Sequence, residues 1–322
     1  MFHLSFRIPP APSKMNLADS SLLMGSCFSD NIGKKMLDCK FDVASNPMGT
    51  IYNPISCFRI LQNTLQKHHY SDPIENQGVF YDWNTHSELS ALDPKELDQR
   101  VHDAYSQLAI TLQQVDTIII TPGTAWVYEL KTTGQIVANC HKVPQSNFRK
   151  RLLEVSEILE SYEQLRKLMK ERKLAPKWIF TVSPVRHIRD GLIENNRSKA
   201  ILHLAIRRIT ESYSDCSYFP GYEIQIDQLR DYRYYKRDLI HPSDEAIDFI
   251  WDRFVETHFD QDTIDFVQKW SKILRALDHR PNHPESEAHQ KFIRETISKL
   301  EKLAKVVDTS VEIAQLKEQI VK

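Results

Sequence analysis

Cysteine is scarce in this sequence, and the few cysteines are not spaced as disulfide or metal-binding pairs. There are five, an odd number, and no C-x-x-C pair occurs among Cys27, Cys39, Cys57, Cys140 and Cys216. This pattern disfavours both a disulfide framework and a structural zinc site. Free thiols are typical of a reducing compartment, so we expect a cytoplasmic protein.

Long apolar runs and an excess of one charge are also missing. The longest apolar runs, such as 117–121 and 178–182, are far too short to span a bilayer. The first residues lack a charged segment followed by an apolar one, so we expect neither a membrane span nor a signal peptide. The 42 basic and 43 acidic residues give a net charge of −1. No general attraction to nucleic acid or to anionic membranes is therefore expected.

Motifs that bind nucleotides or metals are absent as well. The sequence contains no G-x-G-x-x-G and no Walker motif, so no nucleotide cofactor is predicted. No two of His86, His141 and His187 have the spacing of metal ligands on a helix, so we predict no metal site.

What the sequence does contain is an alternation of short apolar segments with longer amphipathic ones. Its 322 residues, 41% of them hydrophobic, are ample for one large core. Buried strands are predicted at residues 21–25, 41–45, 115–121, 178–183 and 223–226. Helices are predicted at residues 29–37, 53–65, 98–114, 154–173, 196–212, 243–258 and 263–277. This order predicts a three-layer α/β/α domain of flavodoxin-like type, with about five parallel strands. Ligands on such sheets bind beyond the carboxyl ends of the strands.

Two stretches inside this region depart from the alternation. Residues 72–94 are rich in Asn, Ser, Asp and Pro and predict a long loop. Residues 125–143 predict a hairpin with strands at 126–130 and 136–139. Both are expected on the rim of the site, where Trp83, Trp126 and Tyr128 would contact a substrate.

The last part of the chain has a different character. Residues 278–287 are polar and contain proline, and an amphipathic helix is predicted from about 287 to 318. We therefore divide the chain into a main domain at 1–277 and a helical C-terminal extension at 278–322. The extension is a candidate contact for a homo-oligomer.

A carboxylate and a histidine lie three residues apart shortly after the last predicted strand. Asp238 precedes His241 in a turn, Pro242 favours a helix start, and Ser243 is a candidate cap for that helix. A carboxylate in this position can accept a hydrogen bond from Nδ1 of the imidazole and stabilise the imidazolium during catalysis. The spacing alone is also common in surface helix starts, and its position after the last strand favours function.

A second candidate lies at the other end of the predicted sheet. A strand runs into Gly25-Ser26-Cys27 and then into a helix. A nucleophile at such a turn would be exposed at the sheet edge and would lie near a helix N-terminus, which favours an anion. Alternatively, Gly25 merely ends the strand and Cys27 is a small core residue.

The run Gly25-Ser26-Cys27-Phe28-Ser29 resembles the motif that names the GSCFA family, bacterial proteins placed within the SGNH (GDSL-like) hydrolase superfamily. Further similar stretches are NPMGTIYNP at 46–54, GTAWVY at 123–128, VANCHK at 137–142, VSPVRH at 182–187 and DLIHP at 238–242. The resemblance covers roughly residues 22–254. It implies an SGNH hydrolase fold and a hydrolytic reaction, without indicating a substrate.

The resemblance also implies roles for individual residues. The D-x-x-H block of the superfamily falls on Asp238 and His241, and its oxyanion glycine on Gly49. The usual asparagine of the third block is missing from Gly123-Thr124-Ala125-Trp126, which leaves Thr124 as a candidate replacement. In the first block, aligning the glycines selects Cys27 as the nucleophile and aligning the serines selects Ser26. Both stay open; if Cys27 is the nucleophile, its pKa should be lowered.

The sequence thus predicts a hydrolase of acyl esters or thioesters, or an acyltransferase on the same scaffold, acting on a small molecule or a glycan. His187, Arg186, Trp126 and His141 are candidate substrate contacts, with arginine suited to an anionic group. No nucleic acid or membrane partner is expected. The alternative is a non-catalytic module that binds a carbohydrate or an acyl group on a decayed hydrolase fold.

Overall fold

The computed structural model describes residues 4–68 and 71–320 and places five parallel strands in a central sheet. The strands, numbered along the chain, are β1 (Ser21–Gly25), β2 (Val43–Ser45), β3 (Pro73–Asn76), β4 (Val79–Asp82), β5 (Thr117–Thr121), β6 (Trp126–Leu130), β7 (Phe148–Leu152), β8 (Lys177–Phe180) and β9 (Cys216–Tyr218). The order across the central sheet is β2-β1-β5-β8-β9. All four neighbouring pairs are parallel.

Helices cover both faces of this sheet. They are α1 (Cys27–Asp38), α2 (Pro54–Gln66), α3 (Pro94–Gln114), α4 (Val155–Glu171), α5 (Gly191–Ser212), α6 (Gly221–Glu223), α7 (Asp244–His258), α8 (Gln261–Leu277), α9 (Glu287–Leu303) and α10 (Ser310–Lys317). In the part of the chain that the structure describes, none of them is long and apolar enough to cross a membrane.

Period-two alternation in the strands divides the core into two layers. Leu22 and Met24 pack with α2 to α5 on one face, whereas Leu23 packs with α1 and α7 to α9 on the other. The predicted three-layer α/β/α architecture with five parallel strands is confirmed.

The fifth strand was predicted in the wrong place. Residues 223–226 are helical, because α6 continues into a π-helical turn at Ile224–Gln228. The edge strand is β9, which precedes this helix. Ile224 and Gln225 are both fully buried, which a helical turn packed on the sheet achieves and a solvent-facing edge strand would not.

The rim region also differs from the prediction. β6 pairs with β7 rather than with residues 136–139, which contribute one bridge, between Glu129 and Ile136. Cross-strand ion pairs of Glu129 with Arg149 and Arg151 hold β7 in this register. The predicted loop at 72–94 contains the hairpin of β3 and β4.

The C-terminal extension contains two helices, α9 and α10, instead of the one predicted. It packs on the same layer as α1: Ile293 and Leu300 share a core with Phe28. Trp270 of α8 donates its indole N–H to the carbonyl of Asp38, 2.7 Å away. The extension is therefore part of the outer layer on one face of the sheet.

Candidate functional site

The strand order places a topological switch point between β1 and β5. Chain connections leave these two neighbouring strands in opposite directions across the sheet, and the crevice beyond their carboxyl ends is where such sheets bind ligands. Gly25 ends β1 with φ +143°, and a Cβ there would lie 2.2 Å from the carbonyl oxygen of Thr121. Glycine is therefore required for the close approach that starts the crevice.

Ser26 follows Gly25 and is buried, with 1% of its surface exposed. It is the N-cap of α1, where its Oγ accepts a hydrogen bond from the backbone N–H of Phe28 at 3.2 Å. Its own N–H donates to the carbonyl of Thr121 at 3.0 Å. The side chain of Ser26 is thus engaged in starting the helix.

Cys27 is the first residue of α1 and is half-buried. Burial raises its pKa above the ordinary value, and the carboxylate of Asp30 adds to this, whereas Lys199 and Lys236 oppose it. The lowering expected of a nucleophilic Cys27 is wrong in direction, so an attacking thiolate would form only by transfer of the proton to a base. Cys27 is consequently a thiol at rest near neutral pH.

Asp238 and His241 form the predicted carboxylate–imidazole pair. Oδ2 of Asp238 lies 2.7 Å from Nδ1 of His241, and Oδ1 accepts the backbone N–H groups of Ile240 and His241 at 2.9 and 3.0 Å. These three hydrogen bonds, led by the backbone ones, lower the pKa of Asp238 to about 2. The ring of His241 is thereby fixed with Nε2 as its free nitrogen.

The turn that carries this pair is held from two sides. Within it, the N–H of Lys236 donates to the carbonyl of His241 at 2.8 Å, and Ser243 caps α7. From outside, Arg186 donates to the carbonyl of Leu239 at 3.3 Å and stacks over the ring of Tyr235. Arg186, predicted as a substrate contact, supports the histidine turn in this structure.

His241 and the Gly25-Ser26-Cys27 turn do not share a hydrogen bond in the described residues. A general base would contact its nucleophile, and the only side-chain hydrogen bond of the His241 ring among these residues is to Asp238, while the hydroxyl of Ser26 is bonded to Phe28. The charge of Lys236, in the histidine turn, lowers the pKa of Cys27 to a small extent. Catalytic contacts in unliganded sites are often long and tighten only when substrate binds.

The two predicted oxyanion residues are engaged elsewhere. Gly49 donates its N–H to the carbonyl of Asn46 at 2.7 Å, and it is required to be glycine because a Cβ there would lie 2.3 Å from Cβ of His86. Thr124 donates its N–H to the carbonyl of Tyr52, and its Oγ1 bonds Ser198 at 3.0 Å. Neither Gly49 nor Thr124 therefore offers a free hydrogen-bond donor to an oxyanion.

Two regions of the chain match known protein families. Residues 20–254 match the GSCFA family, and residues 270–322 match the C-terminal domain of GSCFA domain proteins. The chain belongs to the GSCFA family. None of the curated proteins compared with it matches.

His141, one of the predicted substrate contacts of this GSCFA protein, is a core residue. It is 3% exposed, its Nε2 lies 2.7 Å from the carbonyl oxygen of Asp82, and its ring stacks on Tyr81. Burial lowers its pKa to about 4. The substrate contact predicted for His141 is wrong, because its ring has no face toward solvent.

The aromatic rim prediction fails for one ring. Trp83 is buried with Leu130, Val137 and Phe148 in a small separate core under the hairpins. Trp126 and Tyr128 are half-buried, with the ammonium of Lys150 over both rings.

His187 stays at the carboxyl edge of β8. Its Nδ1 lies 3.2 Å from Oδ2 of Asp190, and burial lowers its pKa. No group of His, Cys, Asp and Glu side chains arranged to hold a metal ion occurs among the described residues.

Sequence reasoning missed Lys199. Its side chain is 2% exposed, and Nζ donates to the carbonyls of Gly123 and Ser183 at 2.7 and 2.6 Å. Burial lowers its pKa to about 7. The helical period could have revealed it, because Lys199 shares the buried face of α5 with Asn195, Leu202 and Ile206.

Proposed function

We propose that this GSCFA protein is a hydrolase of acyl esters or thioesters, or an acyltransferase, of the SGNH type. Cys27 is the nucleophile, His241 the general base and Asp238 the residue that orients it. The observation that carries the assignment is the contrast between neighbours: Ser26 is buried and committed to the helix cap, while Cys27 is half-buried. The sheet order, with the nucleophile after β1 and the histidine before α7, supports the SGNH assignment.

The reaction follows from the protonation states. The Cys27 thiol transfers its proton to Nε2 of His241 as sulfur attacks the substrate carbonyl, and the C=O electron pair moves to oxygen. Collapse of this intermediate expels an alcohol or thiol, which takes the proton from the imidazolium. Water, deprotonated by His241, then cleaves the thioester and regenerates the thiol. An acceptor alcohol in place of water gives the acyltransferase reaction.

The donor for the developing oxyanion is proposed at the start of α1. The first N–H groups of a helix have no partner inside it, and Cys27 is the first residue of α1. Together with the helix dipole, this group favours negative charge close to the nucleophile.

The test uses p-nitrophenyl acetate and an acyl thioester as small substrates, with the wild type, Cys27→Ala and His241→Ala compared. We expect turnover in the wild type and its loss in both variants, with an acylated Cys27 peptide detectable by mass spectrometry after rapid quenching. Undiminished turnover in Cys27→Ala would refute the assignment.

A binding module that has lost catalysis is the second candidate. The observation that favours it is the engagement of Gly49 and Thr124, the two expected oxyanion residues. Saturable binding of acyl or sugar ligands without turnover, unchanged in His241→Ala, would support this function. The substrate class we propose is a small-molecule or glycan acyl ester met in the cytoplasm.

A further inference from the structure

The outer layer of helices contains a groove that the proposed reaction does not use. It lies between α8 and α9 and has a volume of about 530 Å³. The two helices are antiparallel: Leu303, at the end of α9, lines an adjoining cavity together with Lys269 of α8. At the other end, the ring centroid of Phe292 in α9 lies 5.7 Å from that of His279, just after α8. Small-molecule sites occupy roughly 300–1,000 Å³, so the groove has the size of such a site.

This groove lies at the opposite edge of the sheet from the candidate crevice. Trp270, next to Lys269 in α8, donates its indole N–H to the carbonyl of Asp38 at the C-terminal end of α1. The crevice is at the N-terminal end of the same helix, whose 12 residues span about 18 Å. The adjoining cavity is also lined by Asn16 and Leu17, which precede β1. The groove is therefore separate from the site of the proposed reaction.

Four lysines line the groove, two from each helix. Lys269 and Lys272 belong to α8, and Lys299 and Lys302 belong to α9. All four are exposed, and within the described part of the chain no aspartate or glutamate lines the groove with them. Lysines three residues apart on one helix repel each other, so both pairs destabilise the protein unless an anion lies between the helices.

The protein does not supply this anion from its own carboxylates. Among the residues that the structure describes, none of the four lysines forms an ion pair. The spacing would allow it, because Asp265 lies four residues before Lys269 and Glu295 lies four residues before Lys299. Oδ1 of Asp265 instead accepts a hydrogen bond from Gln261 at 2.8 Å. Pairs with the same spacing do form on α1, α3 and α5, so the unpaired charge is a feature of this groove.

The rest of the groove is apolar. Ala276, Phe292 and Leu303 are half-buried in its wall. The hydroxyl that lines it, that of Thr296, already donates to the carbonyl of Phe292 at 2.8 Å within α9. The lysines lie toward the Leu303 end, and the apolar end begins at Ala276, about 10 Å from Lys269 along α8. The groove thus has one positively charged end and one apolar end.

We propose that the groove between α8 and α9 binds a single-chain anionic amphiphile, a fatty-acid carboxylate. The chain lies on the apolar end, and the carboxylate lies among the lysines. Lysine stems also cover apolar surface while their charged groups stay in water, but residues of either charge serve that purpose. Four positive charges without a carboxylate select an anion, and the length and volume of the groove select one short chain. This proposal goes beyond the proposed hydrolase and does not rest on it.

The first experiment titrates the full chain with decanoate by isothermal calorimetry. Acetate and decanol are the comparison ligands, because acetate carries only the charge and decanol only the chain. We expect saturable binding of one decanoate, and binding of the other two that is weaker by roughly tenfold or more. Absence of saturable decanoate binding would overturn the proposal. Equal affinity for acetate or for decanol would overturn it too, since the site would then recognise an anion or a chain alone.

The second experiment locates the binding site. The double variant Lys272→Gln and Lys299→Gln removes one exposed charge from each helix, and its affinity for decanoate should fall by roughly tenfold. The matched control is the double variant Lys167→Gln and Lys170→Gln, which removes two exposed charges from α4 on the other face of the sheet. An affinity that is unchanged in the first double variant, or lowered equally in both, would overturn the proposal.

Further measurements separate the groove from other binding modes. Decanoate resembles a product of acyl-ester hydrolysis, so its affinity is also measured in His241→Ala. Unchanged affinity there supports the groove, whereas lost affinity would place decanoate in the crevice and overturn the proposal. Binding to phosphatidylglycerol vesicles, or dimerisation, that requires Lys272 and Lys299 in a protein that does not bind free decanoate would also overturn it. No arm measures turnover, so failure here leaves the proposed hydrolase untouched.

Discussion

At the scale of single residues, the neighbours Ser26 and Cys27 have different surroundings within one turn. The hydroxyl of Ser26 caps the start of α1, and Cys27 beside it is half-buried. A serine at the first of these positions looks like a nucleophile in the sequence, but a cap and a nucleophile cannot use the same oxygen freely. We therefore assign the cap to Ser26 and propose the nucleophile one residue later, at Cys27.

The prediction for Ser26→Ala is a loss of stability without a loss of the nucleophile. Removing the N-cap hydrogen bond should cost about 1 kcal/mol in the free energy of unfolding, measured by urea denaturation. Alkylation of Cys27 should proceed at a similar rate. Ser286→Ala is the control, because Ser286 caps α9 in the same way, far along the chain. Turnover abolished in Ser26→Ala but intact in Cys27→Ala would reverse the assignment.

Asp238→Asn should remove catalysis while the protein stays folded. The amide cannot accept the Nδ1 hydrogen bond and both backbone N–H groups as the carboxylate does, so the imidazole loses its orientation. We expect turnover to fall by roughly 10²–10⁴-fold. The pKa of Asp238 is about 2, below that of an unfolded aspartate, so wild type should keep this carboxylate ionised down to about pH 4. Equal turnover in Asp238→Asn would remove Asp238 from the site.

At the scale of elements, the rim hairpins are held by a buried histidine. His141 joins the carbonyl of Asp82 to Oγ of Ser87 and has a pKa of about 4. Its folded pKa lies below the unfolded value, so its contribution to stability is present above about pH 6.5 and is lost as the pH falls toward 4.

The resulting prediction concerns acid sensitivity. The free energy of unfolding should fall by up to about 3 kcal/mol through His141 between pH 6.5 and 4. In His141→Gln this part of the slope should disappear, while His258, whose pKa burial lowers to about 3, continues to contribute. Urea denaturation at several pH values measures both slopes, and identical slopes in the two proteins would contradict the argument.

A strand or helix can be predicted from the sequence when the residues that determine it lie close together in the chain. β1 was predicted to the residue, because an apolar run ends at a glycine that the neighbouring strand requires. β9 is only three residues long and lies at the sheet edge, so it leaves almost no pattern. The alternation of polar and apolar residues at 223–226 is compatible with either a strand or a helical turn. Packing against the sheet favours the helical turn.

The residues of the candidate site also differ in how far the sequence predicts their roles. The Asp238–His241 pair is formed within one turn, so spacing was sufficient to predict it. Gly49 was misassigned because a glycine required by a positive φ cannot be distinguished in one sequence from a glycine that binds an oxyanion. The contact of Lys199 with the loops after β5 and β8 depends on how α5 crosses the sheet, which the sequence does not specify.

At the scale of the whole molecule, the C-terminal extension and the sheet share one core. Leu300 of α9 is fully buried in the cluster that contains Leu23 and Phe28. Lys40 and Glu312 form an ion pair between the loop after α1 and α10, with Nζ and Oε1 2.7 Å apart. These contacts predict that the two family-matched regions unfold together.

Leu300→Ala should therefore destabilise the entire chain. We expect a loss of about 2–5 kcal/mol and a single transition, with tryptophan fluorescence and circular dichroism changing together. The control is Val306→Ala, because Val306 is 62% exposed and its truncation should change little. Two separate transitions would show that the extension is an independent unit.

The half-buried state of Cys27 also has a consequence for the chemistry of oxidation. Peroxide reacts with thiolates and only slowly with thiols. Because burial and Asp30 keep Cys27 protonated between turnovers, we expect the resting protein to resist conversion to the sulfenic acid. A cysteine that ionises only as it attacks a substrate can work in a cell that produces peroxide, whereas a permanently ionised one would need repair.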